Sequence, residues 1–195
     1  MPRVSEAHLA ARRQQILDAA RICFIRNGFH VTSMQDVIAE AGLSVGAVYR
    51  YFKSKNEIIE AIAEVYSLQI GGVLERALGD PDRGLVEVMA AALHVIDDNV
   101  GPDGALRIAV QVWAEAVRDE RAAAIVERLY RRFRDTFVQV ARRAIDNGEL
   151  PADGQPAAIG AALFSLVVGY GLQRLLIGTP NRTHYLAGVR ALLGR

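Results

Sequence analysis

The 195-residue chain is 51% apolar and 23% charged, a globular composition that can supply a sizeable core and that excludes a disordered chain. One cysteine, Cys23, leaves no internal disulfide to form, and the opening MPRVSEAHLAARRQQ has no apolar h-region. The sequence therefore asks for neither an oxidising compartment nor export and points to a cytoplasmic protein. The net charge of +1 hides an asymmetry: residues 1–56 carry eight Arg or Lys against four Asp or Glu, and 57–195 carry fifteen against eighteen. A basic head on an acidic body is expected where one end meets nucleic acid.

Nearly every segment repeats apolar residues at three-to-four-residue intervals and none alternates with period two, so the fold class is all-α, with about nine helices. A first helix is expected over 7–27, with Leu9, Ile16, Ala20, Cys23 and Phe24 on its buried face and Gly28 ending it in a left-handed turn. Thr32 and Ser33 offer caps for a short second helix through Glu40, with Gln35 or Asp36 at capping-box spacing, and Gly42 stops it. Ser44 caps a third helix of about two turns before Phe52. Ser54-Lys55-Asn56-Glu57 reads as a capping box for a fourth, whose stripe of Ile58, Ile62, Val65 and Tyr66 runs toward the Gly71-Gly72 pair. After the break Gly79-Asp80-Pro81, helices are expected near 83–98, 104–118, 120–147, 155–177 and 182–193. The longest carries Val126, Leu129, Phe133, Phe137, Val140 and Ala144 on one side. From Gly154 to Gln173 no residue is charged. The apolar heart of that stretch, 157–172, would span roughly 24 Å as a helix, short of the roughly 30 Å of a bilayer core, so it reads as buried in protein, with no membrane partner.

The stretch from Thr32 to Lys55 has the physics of a helix-turn-helix: a short helix, a tight turn at Ala41-Gly42-Leu43, and a second helix whose small residues permit close approach to DNA. Val37, Ile38, Leu43 and Val48 supply the apolar contacts that fix the crossing. Ser44, Val45, Gly46, Ala47, Arg50 and Tyr51 remain for the outer face. Large side chains at 46 and 47 would hold the helix out of the groove.

Over about Arg13 to Ile62 the chain resembles the DNA-binding domain of the TetR family of bacterial repressors. The pattern stands here as Ile16 to Ala20, Phe24, Asn27-Gly28-Phe29, Thr32-Ser33, Val37-Ile38-Ala39, Ala41 to Ser44, Gly46, Tyr49, Phe52, Ser54-Lys55 and Glu57. It departs at Tyr51, where the family often has histidine. The resemblance implies a TetR-type reader over 10–56, a three-helix domain, followed by an effector-binding and dimerisation body over 57–195. It implies that Tyr49, Lys55 and either Thr32 or Ser33 grip phosphates, while Ser44 to Ala47, Arg50 and Tyr51 face the major groove. Phosphate contacts fix register and base contacts read sequence. Arg50 is the expected base reader, since its fork can bond guanine O6 and N7 together. A packing role for Tyr49 and a solvated charge at Arg50 are the alternatives.

In the body, Tyr66, Met89, His94, Gln111, Trp113, Phe137, Phe164 and Tyr170 combine aromatic bulk with a few polar handles, which suits an apolar ligand cavity and equally an ordinary core. His8, His30, His94 and His184 are scattered, and Cys23 lies on a buried face, so no metal, cofactor or thiol chemistry is expected. The row Arg128, Arg131, Arg132, Arg134, Arg142 and Arg143 stands beside Glu127 and Asp135 and reads as a solvated helix face. The expected function is sequence-specific transcriptional regulation: a repressor released from a near-palindromic double-stranded DNA operator by a small, mostly apolar effector. A homodimer is expected because the uncharged helix is apolar around its whole circumference. A helical-bundle enzyme finds no Ser/His/Asp, carboxylate-His or cysteine-pair spacing to support it. An architectural DNA-binding protein without effector leaves the large acidic body hard to explain.

Overall fold

The computed structural model describes residues 6–80 and 82–193, and among these it holds nine α-helices and no strand. They are α1 (Glu6–Asn27), α2 (Met34–Ala41), α3 (Val45–Tyr51), α4 (Lys55–Gly79), α5 (Leu85–Asn99), α6 (Ala105–Ala116), α7 (Glu120–Asp146), α8 (Pro156–Ile177) and α9 (Arg182–Leu192). Pro81 of the expected break lies outside the described residues. Two compact units form: the chain up to Val65 together with Arg107–Val126, and Tyr66–Leu106 together with the chain from Glu127 onward. The N-terminal unit thus recruits a segment from the middle of the sequence, which a single cut after residue 56 does not anticipate.

In the first unit, α1 packs on α2 through Ile16, Leu17, Ala20, Cys23 and Phe24 on one side and Val37, Ile38 and Ala41 on the other, all buried. Gly28 ends α1 at φ +92°, the left-handed geometry that glycine adopts without a Cβ penalty. Phe29 then folds back edge-on against Phe24, with ring centroids 5.2 Å apart. The Cys23 thiol is pushed up, chiefly by burial and then by Glu40, as suits a core residue. Ser54 Oγ accepts from Glu57 N–H at 3.2 Å, while the Glu57 carboxylate takes the Lys53 N–H at 2.7 Å. The return bond of the expected box therefore lands one residue earlier.

α4 does not stop at Gly71-Gly72 as the sequence leads one to expect; it continues to Gly79. Each helical glycine costs about 1 kcal/mol relative to alanine, and burial of Leu74 and Ala77 just beyond the pair offsets that locally unfavourable choice. Arg143 closes this helix: its guanidinium donates to the carbonyls of Ala77, Leu78, Asp80 and Arg83. One member of the expected solvated arginine row is accordingly a helix cap.

The core of the second unit joins Leu74, Met89, Leu93, Phe137, Val140, Leu163, Val167, Tyr170 and Leu186, with α5 packed on both α8 and α9. A Cβ on Gly160 would stand 2.7 Å from Val138 N and 2.9 Å from Phe137 C, so α8 approaches the backbone of α7 at a point where only hydrogen fits. Tyr170 donates to Asp97 Oδ1 at 2.6 Å, and Arg174 Nε lies 3.3 Å from the same oxygen. Burial first, and then this hydrogen bond, push the Tyr170 hydroxyl up to about 12. α8 has 22 residues and is, by length and composition, long and apolar enough to cross a membrane. Its bounds agree with the helix expected over 155–177, and beyond the apolar 157–172 heart it carries the charged Arg174.

Candidate nucleic-acid interface

The helix-turn-helix is held by local bonds that its sequence encodes. Ser33 is the N-cap of α2: its Oγ accepts from Asp36 N–H, and the Asp36 side chain accepts from Ser33 N–H in return. That choice resolves the alternatives at 32/33 and 35/36. Hydrogen bonds from the Ser33 side chain and then its backbone hold the Asp36 carboxyl below the usual aspartate range. Gly42, at φ +62°, ends α2 and donates to the Ala39 and Ile38 carbonyls. Ser44 then caps α3 by accepting from Ala47 N–H. Val48 is the buried residue of α3, and Phe52 is buried just beyond it with the Arg13 guanidinium 5.3 Å from its ring.

With α3 anchored on that side, Ser44, Val45, Gly46 and Arg50 are exposed and Ala47, Tyr49 and Tyr51 half-buried. A Cβ placed on Gly46 meets nothing within 4 Å, so nothing inside the chain demands glycine there. Thr32 is a correction. It is 1% exposed, and its hydroxyl donates to the Gly28 carbonyl at 2.7 Å, so of the two alternatives it is Ser33 that stands at the surface. Lys55, the implied phosphate contact, is also held within the chain. Its Nζ donates to Phe29 O at 2.6 Å and His30 O at 3.0 Å and lies 4.6 Å from the Phe29 ring centroid. Burial lowers its ammonium below the usual lysine range.

The eight body candidates do not gather in one compact unit. Gln111 and Trp113 fall in the unit of the reader, whereas Tyr66, Met89, His94, Phe137, Phe164 and Tyr170 fall in the other. Met89, Phe137 and Tyr170 are fully buried core residues, and Phe164 is ringed by Tyr130, Phe133 and Phe137 at 5.1–6.1 Å. His94 is no interior anchor: it is exposed, with Nδ1 2.7 Å from Arg182 Nη1. Gln111 is engaged through its Oε1 by Phe29 N–H at 2.6 Å. A residue that the sequence does not single out is Ser67, buried in α4 with no hydrogen-bond partner for its hydroxyl. A serine on an apolar helix has no signature that marks it beforehand.

Residues 16–62 match the family described as bacterial regulatory proteins, tetR family. Residues 81–195 match the C-terminal domain of BetI-type transcriptional repressors. An HTH-type transcriptional repressor of Mycobacterium tuberculosis is 35% identical over 140 residues, covering 67% of this chain and 71% of its own. The HTH-type transcriptional regulator UidR of Escherichia coli is 28% identical over 185 residues, 93% of this chain and 91% of its own. Among solved structures, SmeT in complex with triclosan superposes with a TM-score of 0.80 at 25% identity, over 93% of this chain and 91% of that one; SmeT represses a multidrug efflux pump of Stenotrophomonas maltophilia. The chain belongs to the TetR family of bacterial regulatory proteins and is a DNA-binding transcriptional regulator.

Proposed function

We propose that the chain is a homodimeric repressor, with residues 10–56 reading a near-palindromic operator and residues 57–195 binding a small, mostly apolar effector that releases it. The observation that carries the DNA contact is the outer face of α3: Gly46 opens onto free space and Arg50 is exposed beside it. A helix with small residues at its leading turn can enter a major groove, and an arginine on it can take a guanine edge. Ser33, Tyr49 and the third N–H of Lys55 are the proposed phosphate contacts. The effector reading draws on the buried, unpartnered hydroxyl of Ser67, since leaving a polar group unpaired costs about 1–3 kcal/mol that a ligand acceptor would recover. Triclosan in SmeT makes a fitting first compound.

Dimerisation is supported by α8, whose most apolar stretch is only 28% buried within the chain, and by Leu176, Ile177 and Leu192, 67–79% exposed. Apolar surface of that extent asks for a partner, and two copies about a two-fold axis present half-sites about one helical turn, or a multiple, apart. The test begins with operator selection from a random duplex library. Arg50→Ala is expected to cost roughly 1–3 kcal/mol on the selected site and to relax one base position. Triclosan and related aromatics are then screened by thermal shift and each hit is titrated against bound operator. Ligands that stabilise the protein without weakening operator binding would favour a DNA-binding regulator without effector.

A further inference from the structure

We propose that Gln111 and Glu115 of α6 are positioning residues for DNA recognition, clasping the α1–α2 turn so that the reader's geometry depends on a helix outside its own sequence. The proposal rests on α2 and α3 forming the DNA surface. The turn in question, residues 28–31, sets where α2 begins: Thr32 N–H and Thr32 Oγ1 both donate to the Gly28 carbonyl, at 3.1 and 2.7 Å, and Ser33 caps α2 immediately after. Backbone groups in such a turn lack helical partners and must find others. Here they are taken from two directions. Gln111 Oε1 accepts the Phe29 N–H at 2.6 Å across 82 positions of sequence, while Lys55 takes the Phe29 and His30 carbonyls. Glu115, one turn along α6, places Oε2 3.3 Å from His30 Nδ1. Phe29 itself is 3% exposed, so its amide has no easy recourse to water if Gln111 withdraws. α6 begins in the second compact unit and continues into the first, so the body's own chain supplies the clasp.

The experiment uses the full-length protein and the operator it selects, with a generic duplex as reference. Gln111→Leu removes the acceptor at similar bulk; Gln111→Glu retains it. Gln111→Leu is expected to exchange its Phe29 amide hydrogen faster than wild type and to bind operator roughly tenfold more weakly, within the usual range of coupling between sites. Its affinity for the generic duplex and its helix content should be unchanged, and Gln111→Glu should return operator binding close to wild type. Wild-type operator affinity in Gln111→Leu despite faster Phe29 exchange would overturn the proposal, as would Gln111→Glu failing alongside it. If Gln111→Leu does not fold, Glu115→Ala reads the second arm, the contact with His30, by operator against generic-duplex affinity: a loss of roughly tenfold on the operator alone supports the proposal, and unchanged operator affinity overturns it. Failure of wild type to select any operator would instead count against the DNA-recognition reading itself.

Discussion

Gly46 and Ser33 show how single residues of the reader divide between folding and recognition. Because a Cβ on Gly46 meets nothing, a larger side chain there leaves the chain's packing alone, and replacing a helical glycine removes a cost of about 0.5–1 kcal/mol. Gly46→Leu is therefore expected to keep or raise the thermal midpoint while abolishing operator binding. A variant that binds operator normally would place the DNA surface elsewhere. Ser33 acts on folding through Asp36, whose carboxylate it stabilises. A lowered folded value means that this contribution is present above an unfolded aspartate's value of about 4 and is lost as the pH falls through the folded value. Acid unfolding of wild type and Ser33→Ala should show a wild-type advantage near neutrality that shrinks in strong acid. An advantage undiminished at about pH 2, below the range of ordinary carboxylates, would assign the effect of Ser33 to something other than this pair.

At the scale of elements, the body is organised by a few close approaches and capping groups. Gly160 lets α8 lie against the backbone of α7, where a methyl group would come within 2.7–2.9 Å of main-chain atoms. Backbone cannot swing aside as a flexible side chain can, so Gly160→Ala is expected to destabilise by about 1–3 kcal/mol. Denaturant unfolding measures this; a variant as stable as wild type would show that α7 and α8 can separate freely. Gly46 and Gly160 thus predict opposite signs for the same kind of substitution. Helix ends carry the same lesson: Glu149 Oε2 accepts Leu85 N–H at 2.8 Å, supplying the N-terminus of α5 with the acceptor that its own N-cap, Gly84, lacks.

For the whole molecule, the exposed apolar ends of α8 and α9 lead to a statement about assembly. Wild type is expected to scatter light as twice the 21.3 kDa chain. Leu176 and Leu192 are 69% and 79% exposed, so replacing both by glutamate should spare the fold of one chain while burying two charges from each chain in a dimer. Leu176→Glu combined with Leu192→Glu should therefore shift the scattering mass toward the single chain, with helix content kept, and weaken operator binding, because two recognition helices no longer engage together. A wild-type protein that stays monomeric at micromolar concentration would refute this mode of operator binding.

What the sequence determined by itself are features set by neighbours along the chain. The all-α class, the positions of most helix ends, the left-handed glycines at 28 and 42, and the Ser33 and Ser44 caps are all local consequences of periodicity and capping chemistry. The TetR-type pattern was legible for the same reason, since its residues lie within some fifty positions. Tertiary structure decided what depends on distant partners. It carried α4 through Gly71-Gly72, turned Arg143 from a solvated charge into a cap, buried Thr32 and occupied Lys55. It also engaged Gln111 with the Phe29 amide, set His94 at the surface beside Arg182 and left the Ser67 hydroxyl unpaired. Each is a contest between a local preference and burial or hydrogen bonding supplied from elsewhere in the chain, and spacing along the sequence carries no record of which side prevails.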